Sequence, residues 1–154
     1  MAMAGGMYGL TLEKFLIQGM AMTGGIESET LVKTHLVTNT YTPNFDTDAF
    51  RTTSAAFEPA NSGTYTAGGV VLTTTDLTPA SPAATQLKYS VANPAAWTTA
   101  TITARGCVTF NNVGTAATDQ LIVANAFAAD VSSSGGSFTL QFDPTNGVFY
   151  IDYA

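Results

Sequence analysis

A nucleophilic enzyme needs a base beside its nucleophile. This chain has a single histidine, His35, and a single cysteine, Cys107, so any Ser–His or Cys–His pair must use His35. His35 falls inside a strand-like run with no supporting motif and reads as an ordinary sheet histidine. Cys107 falls on the threonine-lined face of another strand-like run and reads as a small packing residue. One cysteine and one histidine cannot close a structural zinc site. Asn44, Asp46 and Asp48 alternate as N-x-D-x-D and could converge three oxygens on calcium. A calcium loop of the helix–loop–helix type also needs Gly at its sixth position and a bidentate Glu at its twelfth. Those positions hold Ala49 and Ala55, so the three side chains read as loop caps. Glu27 with Glu29 and Asp143 with Asp152 read as edge and turn charges rather than an acid–base pair. Gly24-Gly25, Gly68-Gly69 and Gly135-Gly136 lack the lysine and the strand-to-helix setting of a phosphate loop. Trp97, Tyr65, Tyr150 and Tyr153 could line a sugar groove, but core or interface use suits them better in a β protein without disulfides. The expectation is a non-enzyme with no catalytic, cofactor-binding or metal-ligating residue.

The elements that carry these residues are mainly strands. Residues 1–6 read as a flexible arm, and 7–154 as one β-rich domain. Met7 to Gln18 has helical spacing, with Leu12, Phe15 and Leu16 on one stripe and Gly19 as terminator. Glu29 to Thr38 reads as a strand of imperfect alternation, partly covered on both faces. Residues 39–63 read as a long folded loop whose Phe45, Phe50 and Phe57 need covering. Thr64 to Thr75 is a strand interrupted at Gly68-Gly69, residues 76–85 a connection, and Gln86 to Ala92 a strand. Trp97 to Phe110 alternates most clearly, with Ile102, Ala104, Gly106, Val108 and Phe110 opposite Thr101, Thr103, Arg105, Cys107 and Thr109. Leu121 to Phe127 is a further strand, followed by a loop at Ser132–Gly136. Phe138 to Asp143 and Val148 to Tyr153 form a hairpin around Asp143–Gly147, where Pro144 sets φ and Gly147 supplies φ > 0. Such a series predicts a mainly β fold: an antiparallel β-sandwich or barrel-like domain with one short N-terminal helix.

Composition narrows the partners. Charged residues are 10% of the 154 and hydrophobic residues 45%, against about 25% charged in an average soluble domain. Thr is roughly a sixth of the chain, and it loses little rotamer entropy when pinned at an interface. The net charge is −6, and Lys14, Lys33, Arg51, Lys88 and Arg105 are scattered. Without a cationic cluster, neither nucleic acid nor an anionic membrane is an expected partner. No disulfide can form within the chain. Met1 to Met7 lacks a basic n-region and reads as a cytosolic start rather than a secretion signal.

Five stretches carry a resemblance: Thr11–Gly19 (TLEKFLIQG), Glu29–Asn44 (ETLVKTHLVTNTYTPN), Thr64–Leu72 (TYTAGGVVL), Thr101–Asn112 (TITARGCVTFNN) and Ser132–Tyr153 (SSSGGSFTLQFDPTNGVFYIDY). In order and spacing they resemble a family of small β-rich structural proteins of tailed bacteriophages. The chain departs from that pattern at Gly63-Thr64-Tyr65, where Thr64 splits a Gly-Tyr pair, and at Phe142, where Trp is frequent. The resemblance implies a virion component. The expected function is capsid decoration: a cement protein, made in the host cytoplasm, on the outer surface of the mature icosahedral shell. Its expected partners are the major capsid protein and copies of itself, with a homotrimer as the default. The arm, the 39–63 loop and the threonine face of 97–110 are the expected contacts. A tail, baseplate or fibre component and a carbohydrate-binding module are the alternatives.

Overall fold

Alternating β-branched and aromatic residues build two antiparallel sheets. The computed structural model describes residues 3, 5–9, 32–79, 84 and 86–152. The strands are β1 (Gly6–Met7), β2 (Val32–Val37), β3 (Val70–Val71), β4 (Thr74–Pro79), β5 (Gln86–Val91), β6 (Trp97–Asn111), β7 (Gln120–Phe138) and β8 (Phe149–Asp152), and α1 is a single turn at Thr52–Ala55. One sheet has the order β1-β7-β6-β2-β3, the other β4-β5-β8. The result is the β-sandwich-like fold that the alternation predicts.

The five-stranded sheet is covered on both sides. On one side Val32, Leu72, Tyr89, Ile122, Val123 and Val148 join it to the smaller sheet. Leu36, Tyr65, Trp97, Ile102, Cys107, Phe138 and Leu140 continue that layer. On the other side Met3, Tyr8, Val108, Phe110 and Leu121 are buried beneath the 39–63 segment, whose Tyr41, Phe45 and Phe57 pack against them. Double cover explains why β2 alternates so poorly in sequence: five of its six residues are buried. It also explains how α1, far too short to persist alone, is held. Arg51 N–H donates to the Asp119 carbonyl (2.8 Å), Thr52 N–H to Ala116 (3.1 Å) and Leu121 N–H to Ala49 (3.0 Å).

Several elements differ from expectation. Met7, the first residue of the expected helix, lies in β1, and residues 10–18 lie outside the described residues, as do Glu29–Leu31. Of the arm drawn at 1–6, Met3 is buried and Gly6 pairs with Ala124 of the same chain. Apolar residues need not reach a neighbour when their own sheet offers an edge. Residues 74–79 form β4 despite Pro79, which a strand at the edge of a sheet tolerates. Ser132–Gly136 is strand, not loop. Ser133 Oγ donates to the Ala100 carbonyl (2.9 Å) and Gly135 N–H to Thr101 Oγ1 (3.0 Å), which satisfies an irregular register with β6.

The turn at Asp143–Gly147 forms as expected, but its arms do not pair with each other. β8 pairs with β5 instead. Residues 139–148 carry the chain from one sheet to the other, with Leu140 and Val148 in separate apolar layers. The alternation along β6 also changes phase. Ala104 and Cys107 share one layer while Val108 and Phe110 face the other, across a register shift between Ala104 and Gly106.

Candidate functional site

The densest polar chemistry lies between the five-stranded sheet and the 39–63 segment. β2 carries His35 on the face opposite Leu36, α1 carries Ser54, and the chain after α1 carries Glu58. His35 Nε2 is 3.0 Å from Ser54 Oγ, and Nδ1 is 3.2 Å from Glu58 Oε2. Tyr65 Oη donates to Glu58 Oε1 (2.7 Å), as does the Gly68 N–H (3.0 Å). The imidazole meets the Phe110 ring edge-on at 5.5 Å, and the Arg51 guanidinium lies 4.9 Å over that ring.

Burial pushes the Glu58 carboxyl upward. The hydrogen bond and charge of His35, with the Tyr65 hydroxyl and the Gly68 amide, outweigh it and hold the group below the usual carboxylate range. Burial, and then the Glu58 charge, push the Tyr65 hydroxyl up.

Serine, histidine and carboxylate thus stand in the hydrogen-bonded order of a hydrolytic triad. Their side chains are nearly closed to solvent. The His35 and Glu58 side chains are 0% and 4% exposed, and Ser54 is fully buried. Ser54 Oγ also lies 3.2 Å from the Arg51 carbonyl, to which it can donate. A nucleophile must meet its substrate, whereas these groups meet one another. The cluster ties the 50–68 segment to β2. Ser54, Glu58 and Tyr65 were not singled out with His35 from sequence, because their separations follow no motif and only the fold brings them together.

The other candidates fall into place similarly. Asn44 Oδ1 accepts from the Asp46 and Thr47 amides (3.1 and 3.3 Å), and Asp48 Oδ2 from the Asn44 amide (3.0 Å) and Tyr41 Oη (3.4 Å). Tyr41 Oη is 2.6 Å from Tyr8 Oη, and burial first, then Asp48, push Tyr41 up to about 12. The Asn44 and Asp48 oxygens therefore shape their own loop. Among the described residues no three His, Cys, Asp or Glu side chains group as metal ligands. Cys107 is buried, and burial pushes its thiol up to about 12. Asp143 caps its turn through the Thr145 and Asn146 amides (2.7 and 3.2 Å), which lower its pKa. Asp152 lies in β8, Gly68 and Gly69 take left-handed turn conformations, and Gly135-Gly136 lies in β7. Gly24-Gly25, Glu27, Glu29 and Tyr153 lie outside the described residues.

Trp97 packs edge-on against Tyr65 at 5.2 Å inside the core, and Phe45, Phe50 and Phe57 are all partly buried. Tyr150 is 44% exposed and borders a groove of about 650 Å³ between β1 and β8.

The most open surface belongs to the β6–β7 ribbon. Thr99, Thr101 and Thr103 are exposed, whereas Cys107 and Thr109 on the same expected face are buried under the smaller sheet's side. Across the ribbon Ser132 and Ser134–Ser137 are exposed too. Thr103 Oγ1 is 2.8 Å from Ser132 Oγ. No charged residue lies between Trp97 and Ala104 or between Val131 and Phe142. Arg105 and Asp130 mark the inner boundary with an ion pair at 3.5 Å. No family model, curated protein or solved structure matches the chain.

Proposed function

We propose that this chain is a structural protein of a tailed-phage particle, and that it binds the outside of the mature icosahedral shell as a decoration, or cement, protein. One observation carries the assembly role: the exposed, uncharged Thr–Ser face of the β6–β7 ribbon, around Thr99, Thr101, Thr103 and Ser132. Hydroxyl-bearing side chains of this kind lose little entropy on docking and still offer hydrogen bonds to a partner. Its one histidine is held in a closed network that anchors the fold, which favours assembly over catalysis. The phage setting comes from the sequence resemblance. The partners in this reading are the major capsid protein and further copies of the chain, with a homotrimer at local three-fold junctions. Many weak contacts on one shell then add up by avidity.

The test is reconstitution. The purified chain is added to expanded capsids that lack it, and binding and capsid melting are measured. Saturable binding with a raised melting temperature supports the reading. No binding removes the cement role. Copy number in the virion separates the alternative: a simple fraction of the major capsid protein fits the shell, and a handful of copies per particle fits the tail.

A further inference from the structure

Asn146 is the only asparagine of the chain that is followed by glycine. That dipeptide is chemically labile, because a glycine nitrogen with no Cβ beside it can close on the asparagine side-chain carbonyl. Here the glycine cannot be exchanged: Gly147 has φ +71°, and a Cβ there would meet the Tyr89 carbonyl and crowd the Lys88 side chain. Asn146 is exposed to water, the other reactant. Asp143 holds each group that ring closure must move. Its carbonyl accepts the Gly147 N–H (2.8 Å), and its Oδ2 accepts from Asn146 Nδ2 (3.0 Å). Its Oδ1 accepts the Thr145 and Asn146 amides (2.7 and 3.2 Å). Val148 N–H donates to the Tyr89 carbonyl of β5 (2.8 Å), so Gly147 cannot swing without lifting the corner off the smaller sheet.

We infer that Asn146 is a site of spontaneous deamidation that Asp143 holds in check, and that its conversion releases β8 from β5. In the reaction the Gly147 nitrogen bonds to Asn146 Cγ and the Cγ–Nδ2 bond breaks. Nδ2 leaves as ammonia, with the proton given up by Gly147. Water then opens the cyclic imide. Attack at Cγ leaves aspartate, and attack at the main-chain carbonyl of residue 146 leaves isoaspartate. Either product undoes the corner. Aspartate sets a second carboxylate where the Nδ2 donor faced Asp143 Oδ2, so two negative charges stand in place of a hydrogen bond. Isoaspartate adds a methylene to the main chain immediately before the residue that Tyr89 fixes in place. β8 starts two residues beyond Gly147, with Phe149 paired to Tyr89, so the disturbance reaches it directly. The inference is independent of the virion reading, because it is a property of the isolated chain.

The full chain is incubated at mildly alkaline pH, folded and in urea, and conversion at Asn146 is followed by peptide mass mapping. The folded wild type is expected to convert roughly tenfold or more slowly than the unfolded chain, the factor that one charge-assisted hydrogen bond supports. D143A is expected to remove most of that protection. D143N keeps an oxygen for the turn amides but offers Nδ2 no second acceptor; it is expected to convert at an intermediate rate, and it decides the matter if D143A does not fold. S54A, on the other side of the large sheet, is expected to convert as the wild type does. Converted chain, separated by charge, is expected to lose hydrogen-exchange protection at Leu87–Tyr89 and Phe149–Asp152. Equal rates for folded and unfolded wild type overturn the inference. So do Asp143 variants as slow as the wild type, an S54A chain as fast as D143A, or converted chain that keeps β8 protected.

Discussion

At the scale of single residues, the buried His35–Glu58 pair is the most consequential feature. Removing His35 leaves the buried Glu58 carboxyl short of one hydrogen-bond partner, which typically costs about 2–3 kcal/mol. H35A is therefore expected to lower the stability measured by urea unfolding by about that amount, and more than S54A, which deletes one hydroxyl for about 1 kcal/mol. The pH dependence has a definite sign. The Glu58 carboxyl is depressed in the folded state. Its contribution is thus full above the ordinary carboxylate range and disappears as pH falls through the lower folded value. E58Q is expected to lower stability at neutral pH and to flatten that part of the acid limb. An acid limb unchanged in E58Q would place the titration elsewhere. Cys107 gives a simpler expectation. Its buried, undissociated thiol should resist a thiol reagent in the native protein and react on unfolding. Rapid native labelling would contradict the burial.

At the scale of elements, the corner at residues 139–148 depends on one glycine. Gly147 has φ +71°, and a Cβ there would collide with the Tyr89 carbonyl, which accepts a hydrogen bond from Val148 N–H. G147A is expected to destabilise the protein by about 2 kcal/mol or more, read as a lower urea midpoint, and to loosen β8 from β5. A neutral result would mean the corner can re-form without left-handed backbone. The turn itself was legible, because Pro144 and Gly147 leave few other conformations. Its strand partners were not, because local alternation cannot tell a hairpin from a crossing between sheets. β6 was legible for a related reason. Ala100, Ile102 and Ala104 point to one layer while Thr99, Thr101 and Thr103 point to solvent. The Ser132–Gly136 stretch looked like a loop by composition, and long-range pairing with β6 overrode that preference. The polar cluster was the least visible part. His35 could be named as a sheet residue, but nothing near it in sequence marks Ser54, Glu58 or Tyr65.

At the scale of the whole molecule, residues 39–63 form a second cover over the large sheet. Tyr41, Phe45 and Phe57 pack on Tyr8, Val37 and Val108, and the Arg51–Asp119 ion pair at 3.0 Å closes the far end. Asp119 also accepts the Val113 and Gly114 amides (2.9 and 3.1 Å). D119A should therefore release both the 50–55 segment and the 112–119 loop. Hydrogen exchange is expected to show the two regions losing protection together; loss confined to 112–119 would mean the cover is held without Arg51.

Trp97 is the one tryptophan of the chain. It sits at the Trp97–Phe138 end of the β6–β7 ribbon, against Tyr65 and Phe138 and only 8% exposed. Thr98 and Thr101 donate their amides there to Thr64 and Ser62 hydroxyls (both 2.8 Å). The protein thus contains its own optical probe where this end of the ribbon packs on the 62–65 segment. Its emission should be blue-shifted and shielded from acrylamide, and a red shift would signal that the ribbon has come away from the 62–65 segment.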